Sequence, residues 1–259
     1  MSPVDAAAIE TDGLTKRYGE TIAVSDLTMD IERGTVYGFL GPNGAGKTTT
    51  MRMLTTLTNP TSGTARIAGH SIDDRESVTA HIGYLPEDPP VYDELTGREQ
   101  LEYAAGLRDI PEAEATERIE SLLERFDLLE DANKRIEDYS KGMRQKVGVI
   151  QAVLHEPAVA FLDEPTSGLD PRAARTMRDT IAELANQEMT IFLSTHILSV
   201  VDELADEIGV LHDGTLVAED DPDRLKSLAE TGEARSLEEA FLDITREPEA
   251  EKRREQPAE

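Results

Sequence analysis

Gly41-Pro42-Asn43-Gly44-Ala45-Gly46-Lys47-Thr48 is the stretch of sequence that decides the fold. Its spacing fits GxxxxGK[ST], the pattern of a loop whose backbone N–H groups cradle phosphates. Glycine lets these groups turn inward, and a helix that begins near Gly46 directs the positive end of its dipole at the anion. The apolar residues 35–40 predict a buried strand before the loop, and residues 48–57 predict a helix after it. This context predicts a site for a nucleoside triphosphate.

Two side chains of this loop have candidate roles in the site. Lys47 can reach the β- and γ-phosphates, and the hydroxyl of Thr48 can bind Mg²⁺. The candidate nucleotide-binding residues of the loop and of the helix start are Gly41, Pro42, Asn43, Gly44, Ala45, Gly46, Lys47, Thr48 and Thr49.

A second block, residues 158–164, is an apolar strand that ends in two carboxylates. A strand with Asp163 at its C-terminal tip suits a carboxylate that holds Mg²⁺ through water. Glu164 follows at once and is the candidate general base, placed to orient and deprotonate the attacking water. Taken alone, the block also fits a strand that ends in a solvated turn, because Pro165 comes next.

A third block is Tyr139-Ser140-Lys141-Gly142-Met143. Ser140 is a candidate N-cap for a helix that runs through Ala152, and Gly142 leaves room for the close approach of a ligand. Taken alone, this block is better explained as a plain helix cap.

Two more blocks bring the number of motifs to five. The order of the five along the chain is more informative than any one of them. Ser167-Gly168-Leu169-Asp170 follows the acidic strand, and a predicted strand over residues 190–195 ends at His196. From about Ile9 to Glu219, the chain resembles the ATP-binding subunit of an ABC transporter. The matching segments are the P-loop at 41–48, a divergent signature motif at 139–143, the acidic strand at 158–164, the D-loop at 167–170 and the switch histidine at 194–196. Ordinary P-loop kinases and GTPases lack the signature motif and the switch histidine.

The resemblance implies further site residues. It implies that the nucleotide is ATP and that the metal ion bound with it is Mg²⁺. Tyr18 occupies the place of the aromatic residue that stacks on adenine. His196 would contact the γ-phosphate and sense its loss, and it joins Glu164 as a catalytic residue. Ser140 and Gly142 are the positions expected to touch the γ-phosphate of ATP that is bound to a second subunit.

The chain departs from the family pattern in two places. The usual signature LSGGQ is replaced by residues 139–143, which retain Ser140 and Gly142. The Q-loop usually carries glutamine, and the matching position here is Glu87, which keeps an oxygen ligand for Mg²⁺ but adds a negative charge. Both departures, and the tail at 236–242, resemble an export-type branch (multidrug or ABC-2 type) whose permease is a separate chain.

The implied fold class is α/β. It is that of a P-loop NTPase with a RecA-like core, an N-terminal antiparallel β subdomain and an inserted α-helical subdomain. The expected divisions are an ATPase domain at 7–230 (core at 7–94 and 153–220, helical insertion at about 95–152), a C-terminal extension at 231–246 and a disordered acidic tail at 247–259.

Local patterns refine this expectation. Residues 7–38 predict short strands with turns at Gly13, Gly19 and residues 33–34, and residues 96–152 predict helices. One helical face that packs in the core is predicted from the i, i+3, i+4, i+7 spacing of Ile119, Leu122, Leu123 and Phe126.

Composition limits the environment and the partners. The 259 residues include no cysteine, and we find neither an apolar run of about 18 residues nor a signal pattern at the start. The chain has 26 basic and 53 acidic residues, a net charge of −27, which argues against nucleic acid and anionic lipid as partners. We therefore expect a cytoplasmic protein held at the inner face of the cell membrane by its permease, without direct membrane insertion.

The expected function is an ATP-hydrolysing subunit that powers a separate membrane permease for export. One chain carries one set of motifs, so two ATPase subunits would pair head to tail, and a homodimer is favoured over pairing with a paralogue. The alternatives are a soluble ABC ATPase that acts on a non-transport partner and a regulatory module that holds ATP without hydrolysis.

The acidic excess also predicts a halophilic protein, adapted to a salt-rich cytoplasm. Salt at 1 M shortens the range of self-repulsion to about 3 Å, so we expect the melting temperature to rise from low salt to multimolar KCl. Thermal melts across a KCl series measure this. Equal melting temperatures at both ends of the series would contradict the hypothesis.

Overall fold

Within residues 7–185, 189–227 and 236–245, the part of the chain that the computed structural model describes, the strands form two sheets. The smaller sheet is antiparallel. In spatial order it contains β2 (Thr21–Ile31), β1 (Ile9–Tyr18), β4 (Ser62–Ile67) and β5 (His70–Ser71). The predicted antiparallel β subdomain is confirmed in this sheet.

The larger sheet is parallel except at one edge. In spatial order it contains β10 (Thr215–Asp220), β9 (Glu207–His212), β3 (Val36–Leu40), β8 (Thr190–Thr195), β7 (Val159–Asp163) and β6 (Ile82–Leu85). Only β10 runs antiparallel to its neighbour. Every residue of β3, β7 and β8 is buried, which is why these strands read as continuous apolar runs rather than as alternating patterns.

The helices cover this sheet and connect its strands. In chain order they are α1 (Lys47–Leu54), α2 (Arg75–His81), α3 (Gly97–Leu107), α4 (Glu112–Arg125), α5 (Lys141–Val153), α6 (Pro171–Ala185), α7 (Leu198–Leu204), α8 (Pro222–Ser227) and α9 (Leu237–Ile244). The α/β fold class is confirmed by this arrangement.

The parallel strands bring four separate parts of the sequence to one edge of the sheet. The P-loop leaves the carboxyl end of β3, and Glu164 follows β7 directly. His196 follows β8 and Glu87 lies two residues beyond β6. Because ligands of open α/β sheets bind at this edge, the fold itself gathers the predicted site residues.

The chain between β6 and β7 is helical, as predicted. It consists of α3, α4, α5 and two short 3-10 turns, Leu129–Asp131 and Ile136–Asp138. All members of the predicted apolar face are buried: Ile119, Leu122, Leu123 and Phe126. Ser140 caps α5, because its Oγ accepts a hydrogen bond of 3.2 Å from the N–H of Met143.

Two strand glycines let helices lie unusually close to the large sheet. A Cβ atom on Gly83 of β6 would lie 1.8 Å from the carbonyl oxygen of Ala152 in α5. A Cβ atom on Gly38 of β3 would lie 2.3 Å from Cγ1 of Val201 in α7. A side chain at either position would therefore push the helix that packs there away from the sheet.

The predicted turn at Gly13 is wrong. Gly13 lies inside β1 at φ +59°, where the pairing register shifts between Thr11 and Leu14. Its N–H donates to Oγ1 of Thr28 at 3.0 Å, so the glycine forms a β-bulge within one long strand. The strands β1 and β2 are 10 and 11 residues long rather than short, while the turns at Gly19 and at residues 33–34 are confirmed.

The helix after the P-loop is shorter than predicted. It ends at Leu54 rather than near residue 57, and Thr56 has φ +60°. The N–H groups of Leu57 and Thr58 both donate to the carbonyl oxygen of Arg52, which satisfies the end of the helix. The predicted disordered tail at 247–259 lies outside the described residues.

A helix in the predicted C-terminal extension packs against α7 and α8. The helix α9 begins with a capping box between Ser236 and Glu239. Its buried Leu237 belongs to an apolar cluster with Leu40, Val201 and Leu225. Leu40 directly precedes the P-loop, so this cluster links α9 to the end of the strand that carries the loop.

His155 should make folding sensitive to acid. It lies just beyond α5, its Nε2 is 2.9 Å from the carbonyl oxygen of Ile82, and its buried Nδ1 has no hydrogen-bond partner among the described residues. Burial, with a smaller effect from Arg108, lowers its pKa from 6.5 to about 4. His155 therefore takes up a proton more readily in the unfolded chain than in the folded one. As a result, the free energy of unfolding falls as pH drops from about 6.5 to 4.

His155→Gln should weaken this dependence, because the amide can still donate to Ile82 but takes up no proton. Urea unfolding at pH 7 and pH 4.5 measures the effect, which we expect to be about 1–3 kcal/mol smaller in the variant. An equal loss of stability in both proteins would contradict the role of His155.

Candidate functional site

The P-loop holds an open conformation that depends on its glycines. Gly44 and Gly46 have φ +85° and +109°, which side chains disfavour. A Cβ atom on Gly46 would lie 2.4 Å from the carbonyl oxygen of Ala23, and one on Gly41 would lie 2.4 Å from that of Leu211. Gly46 also caps α1 without any side-chain bond, so the first N–H groups of the helix remain available for a ligand.

Lys47 carries the positive charge of the loop. The residue is buried, and its Nζ donates to the carbonyl oxygens of Gly41 at 2.7 Å and Pro42 at 3.2 Å. Burial lowers its pKa, against the opposing effect of the carboxylates of Glu164 and Asp163. The ammonium forms stronger hydrogen bonds with charged phosphate oxygens than with neutral carbonyl oxygens. A bound phosphate would therefore stabilise it further.

Thr48 and Asp163 meet where a cation would accompany phosphate. Oγ1 of Thr48 donates to Oδ2 of Asp163 at 3.0 Å. Burial raises the pKa of Asp163, and the hydrogen bond from Thr48 opposes this change. A bound cation would likewise favour the charged carboxylate.

Oγ1 of Thr48 and Oδ2 of Asp163 offer Mg²⁺ two neighbouring oxygen donors. Among the described residues, no group of three acidic, histidine or cysteine side chains is arranged to hold a metal. Mg²⁺ suits such a sparse donor set, because it keeps several waters and takes its remaining ligands from phosphates. The hydroxyl and the carboxylate therefore fit a magnesium–nucleotide complex rather than a metal held by protein alone.

Glu164 is held by the residues that end β8. The backbone N–H of His196 donates to its Oε1 at 3.0 Å, and Nδ1 of the histidine lies 2.7 Å from the same oxygen. Because a carboxylate only accepts, Nδ1 carries the proton and Nε2 is left for another partner. Glu164 is buried, whereas the side chain of His196 is 47% exposed. This difference suits a fixed base beside a histidine that can reach a ligand.

These groups line one cleft of about 240 Å³. The residues that line it are Ala23, Asn43, Gly44, Gly46, Lys47, Thr48, Thr49, Glu87, Asp163, Glu164 and His196. The structure thus brings most of the predicted residues together, including Glu87. Ala23 was missed, because it comes from β2 and nothing in its local sequence marks it.

Several predicted residues lie outside this lining. Gly41, Pro42 and Ala45 belong to the loop but do not face the cleft. Tyr18 ends β1 with half of its surface exposed, and Nζ of Lys16 lies 5.0 Å from its ring centroid.

Ser140 and Gly142 also lie outside the cleft, at the start of α5. There Gly142 packs near Leu169 and Ala173 of the same chain. Within one chain, the predicted signature motif therefore does not complete the cleft.

The family model described as ABC transporter matches residues 24–167. The chain belongs to the ABC transporter family. It is an ATP-binding subunit and an ATPase.

Relatives of known name agree with this assignment. This ABC subunit is 42% identical to the daunorubicin resistance ATP-binding protein DrrA3 of Streptomyces coeruleorubidus, over 87% of this chain and 71% of the relative. It is 41% identical to the bacitracin transport ATP-binding protein BcrA of Enterococcus faecalis, over 82% and 68%. A solved ATP-binding subunit of an ABC transporter superposes with a TM-score of 0.83 at 33% identity, covering 92% of this chain and all of the other.

Lys47→Ala should weaken nucleotide binding by this ABC subunit. Loss of a charge-assisted hydrogen bond costs about 1.5–3 kcal/mol, or roughly 10- to 100-fold in Kd. Calorimetric titration with ATP measures this. Lys146→Ala is the matched control, because Lys146 is also buried but lies in α5, outside the cleft. A Kd unchanged in Lys47→Ala, or weakened equally in both variants, would contradict the assignment.

Proposed function

We propose that this ATPase powers an exporter whose membrane-spanning part is a separate permease. The relatives named for daunorubicin resistance and bacitracin transport support export. No helix in the described ranges is long and apolar enough to cross a membrane. The proposal places the subunit at the cytoplasmic face, bound through that permease.

Within the cleft, Lys47 neutralises phosphate charge, and Thr48 and Asp163 would hold Mg²⁺, with Glu87 as an additional ligand. Bound there, Mg²⁺ would neutralise part of the phosphate charge. Tyr18 stacks on adenine. The residues of the stretch 43–49 that line the cleft donate their backbone N–H groups to the phosphates.

Glu164 acts as the general base. It takes a proton from water as the water oxygen attacks the γ-phosphorus. The bond from that phosphorus to the bridging oxygen of the β-phosphate breaks, which gives ADP and inorganic phosphate. His196 contacts the γ-phosphate and registers its loss. The observation that carries this assignment is the burial of Glu164 in the cleft with Lys47 and Asp163.

Ser140 and Gly142 lie outside the cleft of their own chain, which supports a head-to-tail homodimer. In the closed dimer they would meet the γ-phosphate of ATP bound to the other copy. ATP then binds the closed state better than the open state, and hydrolysis removes that difference. The division into an ATPase domain with a helical insertion and a C-terminal extension is part of the same proposal.

The permease would contact the loop at 87–95 and the inserted helices. Tyr92 of this loop and Tyr103 of α3 are each about half exposed, and their rings pack edge to face at 5.7 Å. Exposed aromatic residues of this kind are enriched at protein interfaces. This surface supports docking of a protein partner beside the cleft.

Glu164→Gln should bind ATP but hydrolyse it about 10²–10⁴-fold more slowly, because the amide cannot accept the proton. ATP should then trap the dimer. Steady-state ATPase assays with Mg²⁺ in high KCl, and light scattering with and without ATP, measure both effects. Glu120→Gln is the control, since Glu120 pairs with Arg98 far from the cleft. Wild-type turnover by Glu164→Gln would remove Glu164 from the catalytic role.

A further inference from the structure

Thr195 lies buried between two parts of the ATP site. It is the last residue of β8 and is fully buried. On one side it pairs with Leu40, the residue that precedes the P-loop. On the other side, its neighbour Ser194 pairs with Asp163 at the tip of β7. A side chain in this position can link the P-loop strand to the acidic strand.

The hydroxyl of Thr195 makes two hydrogen bonds whose directions are determined. The backbone N–H of Ile197 donates to Oγ1 at 3.1 Å, and Oγ1 lies 2.9 Å from Oε2 of Glu164. A hydroxyl has one proton. Because the amide can only donate and the carboxylate accepts, that proton points to Glu164. The turn after β8 therefore orients the hydroxyl toward the carboxylate.

The two oxygens of Glu164 have different restraints. Oε2 is bound by a buried hydroxyl, whereas Oε1 is bound by His196, whose side chain is half exposed. Glu164 also has φ +51°, an uncommon value for a residue with a side chain, and its N–H donates to the carbonyl oxygen of Ser194 at 2.8 Å. The end of β8 thus holds both the backbone and one oxygen of Glu164.

We propose that Thr195 is a positioning residue for ATP hydrolysis: its hydroxyl fixes Oε2 of Glu164, while Oε1 accepts the proton of the attacking water once the imidazole of His196 has moved away from it. The proposal rests on the proposed role of Glu164 as the general base. When His196 turns to the nucleotide, the bond from Thr195 remains and keeps the carboxylate in place. A base displaced by about 1 Å can lose about 100-fold in rate.

Thr195→Val tests the proposal, because it keeps the β-branched shape and removes the hydroxyl, which donates to Glu164 and accepts from the N–H of Ile197. We expect kcat to fall about 10- to 100-fold, with KM for ATP changed less than about twofold, since the hydroxyl touches no part of the nucleotide site other than Glu164. Thr195→Ser should recover most of the lost turnover. The double variant with Glu164→Gln should be no slower than Glu164→Gln alone, because the hydroxyl acts through that residue.

Thr190→Val is the matched control. Thr190 lies at the other end of β8, is equally buried, and its Oγ1 also accepts a backbone hydrogen bond, from Gly34 at 3.0 Å. We expect it to retain wild-type turnover. If Thr195→Val does not fold, as judged by circular dichroism, Thr195→Ala is compared with Thr190→Ala in the same assays.

The outcomes separate this inference from the proposed function. Wild-type kcat in Thr195→Val beside an inactive Glu164→Gln would overturn the inference alone. Equal losses in Thr195→Val and Thr195→Ser, or in Thr195→Val and Thr190→Val, would also overturn it. Wild-type turnover in Glu164→Gln would overturn the proposed base, and the inference with it.

Discussion

Parallel pairing of three buried strands is the constraint on which the rest of the structure depends. Aromatic rings lock β3, β7 and β8 together, since the ring of Phe192 lies 5.1 Å from that of Phe39 and 5.4 Å from that of Phe161. Such pairs add to the burial of apolar surface. They set the register that places Leu40 beside Thr195 and Asp163 beside Ser194. A slip by one residue would separate the P-loop from its carboxylates.

The site also resolves a conflict of charge. The chain carries a net charge of −27 and yet binds a polyanion. In the proposed site this is achieved locally, by the backbone N–H groups of a glycine-rich loop and by one buried ammonium on Lys47. The carboxylates of Asp163 and Glu164 would otherwise repel phosphate. The Thr48–Asp163 pair suits Mg²⁺, and Thr195 and His196 hold Glu164, so each carboxylate has a partner of its own.

Local sequence patterns predicted the structure correctly where the chemistry requires particular residue types at a particular spacing. The strand before the P-loop, the acidic strand, the cap at Ser140 and the apolar face of α4 were all predicted and all confirmed. The two wrong predictions, the turn at Gly13 and the end of α1, depend on hydrogen bonds that the residue types alone do not reveal. Gly13 is a common turn residue, but Thr28 on the neighbouring strand turns it into a bulge. The end of α1 depends on which N–H groups reach Arg52.

The sequence by itself determined the family, the α/β class, the phosphate-binding loop and the identity of the acidic residues, because these are carried by contiguous motifs. Only the tertiary structure decided which residues meet. Ala23 enters the cleft, Ser140 lies outside it, and the hydroxyl of Thr195 bonds Glu164. These relations join segments that are far apart in the chain. They follow from strand order and register, which depend on packing in the whole sheet rather than on any local pattern.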